Sequence, residues 1–303
     1  MKLDKLDNSL AGLRVVAVHA HPDDEAIATG GALAHLAARG ADVTVITCTL
    51  GEQGEVIGET YQQLVNGDAD QLGGFRIHEL LASLEVLGVS GRLLGGAGRW
   101  RDSGMVGDPA NEHPRAFIHS GGEAVEQLVE QFEQLRPHLV ITYGPDGGYG
   151  HPDHIRAHEI THAAAGRVPV QRVLWAITGS ADLEAGLKAI TQVPDGWRAA
   201  EPGELACLDQ VDCQLALDDL SYAAKVESMR AHATQLWIAD GSVSATNPHA
   251  AFAAVSDKFA APTVFALSNL IAQPIMRNEH YQLGAGTPFP EGDAVKLSDG
   301  LEW

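Results

Sequence analysis

Short β-branched runs alternate with longer stretches of helical periodicity through the first 180 residues, and this alternation restricts the chain more than any other feature. Strands joined through helices run parallel in one sheet, and the crossovers are right-handed. Arg14–Val18 (RVVAV) reads as a buried strand, and Ala26–Ala38 as a small-residue helix closed by Gly40. Val43–Thr49 is a second strand, apolar almost throughout, as a sheet covered on both faces requires. Asp70–Leu87 carries Leu80, Leu81, Leu84 and Leu87 at helical spacing, and Arg92–Leu94 is a brief strand. Gly122–Leu135 repeats the helical signal through Val125, Leu128, Val129 and Phe132, until Pro137 stops it. His138–Tyr143, His154–Ala165 and Arg172–Thr178 complete the series as strand, helix and strand. The expectation is an α/β fold with a Rossmann-like, doubly wound, mostly parallel sheet.

Beyond residue 180 the pattern loosens. Pro194–Gly203 is a connection, Asp219–Gln235 a helix, and the remainder carries Pro262, Pro274 and Pro288 without clear periodicity. We expect residues 1–180 to form the catalytic domain, and 181–303 a smaller, irregular C-terminal region that completes the substrate pocket.

The chain pairs 20 Lys and Arg with 40 Asp and Glu, a formal charge of −20, which argues against a nucleic-acid partner. No apolar run approaches the roughly 18–20 residues that span a bilayer, so no membrane segment is expected. MKLDKLDNSLAG lacks the apolar core of a signal peptide. Cys48, Cys207 and Cys213 are too few and too scattered for a disulfide framework. A cytoplasmic enzyme acting on a small molecule is the expectation. The 14 histidines are the compositional anomaly.

In an open α/β sheet, ligands bind beyond the carboxyl ends of the strands. After the first strand stands His19-Ala20-His21-Pro22-Asp23-Asp24-Glu25, where a dinucleotide site would show a glycine-rich turn. Three consecutive carboxylates repel phosphate and attract a cation. After the strand at His138–Tyr143 stands a second cluster, Gly144-Pro145-Asp146-Gly147-Gly148-Tyr149-Gly150-His151-Pro152-Asp153-His154. Two His-Pro-Asp tripeptides, each at a β-α junction, suit a catalytic zinc with protein ligands and one open position. His21 with Asp24, and His151 with His154, have spacings that can converge on one ion. Cys48 reads as a small core residue, and His19, His158 and His162 as structural.

HAHPDDE followed downstream by GHPDH resembles the PIG-L/LmbE-like N-deacetylases, zinc enzymes that remove acetyl groups from N-acetylglucosamine-type substrates. CTLGEQGEVIG (48–58), ADQLGGFRIHEL (69–80), GGAGRWRDSGM (95–105), TYGPDGGYGHPDH (142–154) and AHATQ (231–235) are similar to one branch of that family. That branch deacetylates N-acetylglucosaminyl-inositol in mycothiol biosynthesis. The resemblance implies zinc, or Fe²⁺ in the same site, held by His21, Asp24 and His154. It leaves Asp23 as general base for the attacking, metal-activated water. Protonated His151 and the Tyr149 hydroxyl are the implied oxyanion donors, with Asp153 orienting His151. Arg76, Asp102, Glu55 and Met105 match positions around the amino-sugar inositol substrate. Where the family commonly has Ser after HPDDE, this chain has Ala26. A mycothiol S-conjugate amidase and a Mg²⁺-dependent phosphoesterase are the catalytic alternatives, and a metal- or sugar-binding module the non-catalytic one.

Overall fold

The computed structural model describes residues 3–292 and 295–303. The first part of the chain runs β1 (Arg14–His19), α1 (Asp24–Ala38), β2 (Asp42–Thr47), α2 (Leu72–Leu87), β3 (Ser90–Leu93), α3 (Gly121–Leu135), β4 (Leu139–Tyr143), α4 (Pro152–Ala165) and β5 (Arg172–Ile177). The second part continues with α5 (Ser180–Ala189), β6 (Ile190–Gln192), β7 (Arg198–Ala199), β8 (Cys213–Ala216), α6 (Asp219–Ala231), β9 (Leu236–Ile238), β10 (Ala254–Val255), β11 (Thr263–Leu267), β12 (Ile271–Ile275) and β13 (Asn278–Gly286).

The main sheet has seven strands in the order β3-β2-β1-β4-β5-β13-β8. β1 to β5 are parallel, in the order of a doubly wound fold. Successive side chains of β1 point to opposite faces, so Val15 and Ala17 enter one core and Val16 and Val18 the other. The first core is covered by α1, α2 and α6 through Leu33, Leu36, Leu80, Leu84 and Met229. The second is covered by α3 and α4 through Leu128, Phe132 and Ile160. Both faces are sealed, which is why these strands read as apolar throughout.

The second part is more ordered than its sequence pattern suggests. β13 pairs antiparallel with β5, and β8 with β13, so residues beyond 180 contribute two strands to the main sheet. β7, β12, β11 and β9 form a further four-stranded sheet. β13 hides from pattern reading because it buries Glu279 and His280. The Glu279 carboxylate accepts the N–H groups of Gly31 (2.9 Å) and Ala32 (2.8 Å) from the middle of α1, the Tyr281 hydroxyl (2.9 Å) and the Lys225 ammonium (2.5 Å). A Cβ on Gly31 would lie 2.3 Å from Leu217 Cδ1 and 3.0 Å from Glu279 Oε1, so glycine gives both side chains room here. The buried carboxylate thereby fixes the position of the helix that begins with Asp24.

At the opposite end of the sheet from the strand carboxyl ends, Arg172 opens β5 and is wholly buried. Its guanidinium donates to the carbonyls of Thr287 (2.8 Å), Leu297 (2.8 Å), Pro288 (2.9 Å) and Asp299 (2.7 Å), and lies over the Phe289 ring. Arg172→Met strands the buried Leu297 carbonyl and removes three further, partly buried hydrogen bonds, so at about 1–3 kcal/mol for an unsatisfied buried group the net loss should reach at least about 2 kcal/mol. Urea unfolding should show the lowered midpoint, while metal content stays unchanged.

Candidate metal centre and active site

The strand order reverses between β1 and β4, and at that switch point the loops leaving their carboxyl ends face each other. His21 and Asp24 come from the first loop and the start of α1, and His154 from the first turn of α4. His21 Nδ1 lies 3.2 Å from His154 Nε2 and 3.4 Å from Asp24 Oδ2, and His154 Nε2 lies 3.4 Å from Asp24 Oδ1. All three residues are buried or nearly so.

The remaining ring nitrogens are committed elsewhere. His154 Nδ1 lies 3.1 Å from the Gly147 carbonyl and donates to it. His21 Nε2 lies 3.3 Å from Asp153 Oδ2 and donates to that carboxylate. The hydrogen-bond pattern therefore turns a lone pair of each ring toward the other, with no proton between them in the neutral tautomers. Two nitrogens bound to a tetrahedral zinc at about 2.0–2.1 Å stand about 3.3 Å apart, so the spacing fits a metal. The field agrees. Burial opposes a charge on His21, yet Asp102, Asp153 and Asp24 raise its pKa well above the ordinary value. Burial likewise works against ionised Asp24, but His154 and His21 hold its carboxyl well below the usual range.

Supporting contacts fix each ligand. Asp24 Oδ2 accepts the Tyr143 hydroxyl at 2.6 Å and the His21 N–H at 2.8 Å. Tyr143, at the end of β4, also stacks on His154 with ring centroids 4.2 Å apart. Gly147 has φ 67°, and a Cβ there would fall 2.8 Å from His154 Cβ, so glycine lets this loop close over the ligand.

Asp23 stands beside the ligands but faces Arg76, whose Nη2 is 3.0 Å from Asp23 Oδ2. Burial pushes the Asp23 carboxyl up to about 6 against the lowering effect of Arg76. Its backbone is left-handed, φ 111° and ψ −31°, an uncommon conformation for a residue with a side chain. Arg76 is itself buried, donating to the Gly51 carbonyl at 2.7 Å and to that of Pro22. Arg76 is thus held away from solvent, against Asp23.

His151 caps α4, its Nδ1 accepting the Asp153 N–H at 3.1 Å. Burial, then the neighbouring His21 and His154, push its pKa down to about 3. Burial thus favours a neutral His151 over the expected protonated one, and with Nδ1 accepting, the N–H of the neutral ring is at Nε2. The expectation for Asp153 is corrected: its carboxylate reaches His21 and the Ser103 N–H (2.9 Å), not the His151 ring. Only its main chain touches His151. Tyr149 is exposed at the mouth, its ring edge-on to His154 with centroids 5.0 Å apart.

Asp102 is buried, accepting the N–H groups of Gly104 (2.8 Å) and Gln53 (3.1 Å), with Oδ1 3.6 Å from His21 Nε2. It belongs to the setting of His21. Glu55 and Met105 are exposed. His19 bonds Thr29 in the core, His158 the Tyr143 carbonyl and His162 the Trp175 indole, as structural residues do. Sequence reading missed Tyr143, Glu25, Ser83 and His232. The end of β4 was the available signal for the first, and AHATQ for the last.

A family model described as PIG-L, GlcNAc-PI de-N-acetylase, matches residues 16–165, which contain both loops. The 1D-myo-inositol 2-acetamido-2-deoxy-alpha-D-glucopyranoside deacetylase of Corynebacterium efficiens is 78% identical over 299 residues, covering 98% of this chain and 96% of that protein. The chain belongs to the PIG-L family. Proteins of the same name from Corynebacterium diphtheriae (68% over 287 residues, 95% of this chain and 98% of that one) and Rhodococcus erythropolis (45% over 301 residues, 94% and 96%) are also similar. This PIG-L member is a hydrolase, an N-deacetylase of a metal-dependent family, with a His/Asp cluster suited to the ion. Among the described residues no helix is long and apolar enough to cross a membrane.

Asp24→Ala and His154→Ala should both lose metal, measured by elemental analysis after gel filtration. Tyr143→Phe removes one donor to Asp24 and should weaken metal affinity by about 10–100-fold, as other outer-sphere changes do. Full retention of metal in all three would refute the ligand set.

Proposed function

We propose that the protein hydrolyses the N-acetyl group of 1D-myo-inositol 2-acetamido-2-deoxy-α-D-glucopyranoside, releasing acetate and the free amine for mycothiol biosynthesis in the cytoplasm. The name carried by its curated relatives supports the substrate. The observation that carries the chemistry is Asp23, a carboxylate beside the ligand cluster that Arg76 holds out of it at 3.0 Å. A binding module has no use for such a group. Zinc is the proposed metal, held by His21, Asp24 and His154, since two imidazoles suit it better than they suit Mg²⁺. Fe²⁺ accepts the same donors, and metal analysis of the isolated protein separates the two.

When bound, the metal polarises the acyl oxygen and makes water a nucleophile near neutral pH. Asp23 takes the proton from the attacking water and delivers it to the departing amine. Neutral His151 donates from Nε2 to the oxygen that gains negative charge, and a neutral ring at the positive end of α4 avoids the cost of a second buried cation. The Tyr149 hydroxyl, at the mouth, is placed to add a second donor as substrate enters. Asp153 holds His21, and Arg76 and Asp102 act on Asp23 and His21. Exposed Glu55 and Met105 are left to meet the sugar and inositol rings. Residues 181–303 complete the pocket of the catalytic domain at 1–180.

An amidase for mycothiol S-conjugates shares this chemistry but must receive a larger, polar acyl group. Ile27-Ala28-Thr29 offers it no cation, and Thr29 is occupied with His19. Competition between the two substrates tests this directly: faster cleavage of a mycothiol S-conjugate than of the acetylated sugar refutes the assignment.

Asp23→Asn should retain metal and lose about 10²–10⁴ in kcat. Because the Asp23 carboxyl is raised to about 6 and acts when ionised, kcat/KM should rise with pH through that region. Arg76→Met removes the cation that opposes the rise, so the acid limb should move to higher pH, whereas Arg76→Lys should move it less. A limb that stays in place in Arg76→Met would show that another group titrates there.

A further inference from the structure

Glu25 follows the metal ligand Asp24 but takes no part in the ligand cluster. Its side chain is wholly buried and turns the other way, toward Ser83 on α2 and His232 at the end of α6. Glu25 Oε1 accepts the Ser83 hydroxyl at 2.6 Å and lies 2.6 Å from His232 Nε2. Its second oxygen, Oε2, accepts the main-chain N–H of Asp23 at 3.0 Å. His232 and Ser83 are as completely buried as Glu25.

We propose that Glu25, anchored by His232 and Ser83, is a positioning residue for Asp23, fixing through the Asp23 N–H the left-handed backbone that aims the Asp23 carboxylate. The inference rests on Asp23 being the proton acceptor proposed above. A non-glycine residue in so sparsely populated a conformation costs about 1–3 kcal/mol and persists only where its surroundings over-determine it. Arg76 holds the Asp23 carboxylate at 3.0 Å, the N–H groups of Ala26 (3.0 Å) and Ile27 (2.9 Å) hold its carbonyl, and Glu25 holds its amide. With the amide released, the residue can rotate about its φ while its carbonyl stays on the helix, and the carboxylate swings while the ligands stay in place.

Packing alone does not call for this arrangement. An apolar trio of similar volume would fill the space, and burying ionised groups carries a desolvation cost that such a trio avoids. The anchor is also fixed from behind. Thr234 donates its N–H (2.8 Å) and hydroxyl (2.7 Å) to buried Glu79, and Asn247 Nδ2 donates to the Ala233 carbonyl at 3.1 Å. AHATQ thus carries a rigid histidine from the second part of the chain to the back of the HPDDE loop.

The test combines kinetics with amide exchange in the metal-loaded protein. His232→Asn and Ser83→Ala should each lower kcat, by about 10-fold or more for His232→Asn given the sensitivity of rates to sub-ångström misplacement, with KM and metal stoichiometry unchanged. His232→Gln, which restores a donor at similar reach, should recover much of the loss. Hydrogen exchange at the Asp23 amide should quicken in both loss variants while the β1 amides keep their protection. In an Asp23→Asn background neither substitution should reduce the residual rate further, because both act through the same group. Equal fold-losses with and without Asp23, a loss of metal, or unchanged exchange at the Asp23 amide would overturn the positioning role. Asp23→Asn turning over near the native rate would instead overturn the general-base reading on which it rests. Ser83→Ala keeps both members of the ion pair and so reports even where His232→Asn does not fold.

Discussion

Two imidazole nitrogens face each other at 3.2 Å with a carboxylate 3.4 Å from both, and the rest of the site is arranged around that approach. In the neutral tautomers each ring donates its N–H to a different neighbour, Gly147 or Asp153, and the two facing nitrogens each carry a lone pair. An arrangement of this kind is favourable only with positive charge between the donors. Electrostatics therefore dictates the outer shell: carboxylates on the far side of His21, a phenol on Oδ2 of Asp24, and a glycine where His154 needs room.

The three carboxylates of HPDDE show how one short loop divides its labour. Asp24 faces the other ligands, Asp23 faces Arg76, and Glu25 turns into the protein toward His232. A helix start makes this possible, because successive residues leave the first turn of α1 in different directions. The left-handed backbone at Asp23 adds a further rotation, and its strain sits where the chemistry needs orientation.

Much of this was legible in the sequence for physical reasons. Strands buried on both faces must be apolar along their length, and β1, β2 and β4 were read on that basis. That the two His-Pro-Asp loops meet was legible because His-Pro-Asp at a strand end has little structural purpose. β13 was not, because its Glu279 and His280 are buried by partners remote in sequence, Lys225 and Asp182. Roles that depend on direction were also out of reach. Spacing cannot say that Asp153 points to His21 and not to His151, or that Arg76 pairs with Asp23. Nor does pattern show that His151 Nδ1 accepts a backbone amide two residues on.

His21 and Asp24 follow β1 whereas His154 follows β4, more than a hundred residues later, so the donors meet only when the sheet is complete. A metal ion held by these donors would therefore be thermodynamically linked to the global fold: once it exceeded its dissociation constant, each further tenfold rise would add about 1.4 kcal/mol to the stability of the native state. The melting temperature would then become a gauge of metal activity in the surrounding solution, and a chelator would act on the whole molecule as a denaturant of limited reach.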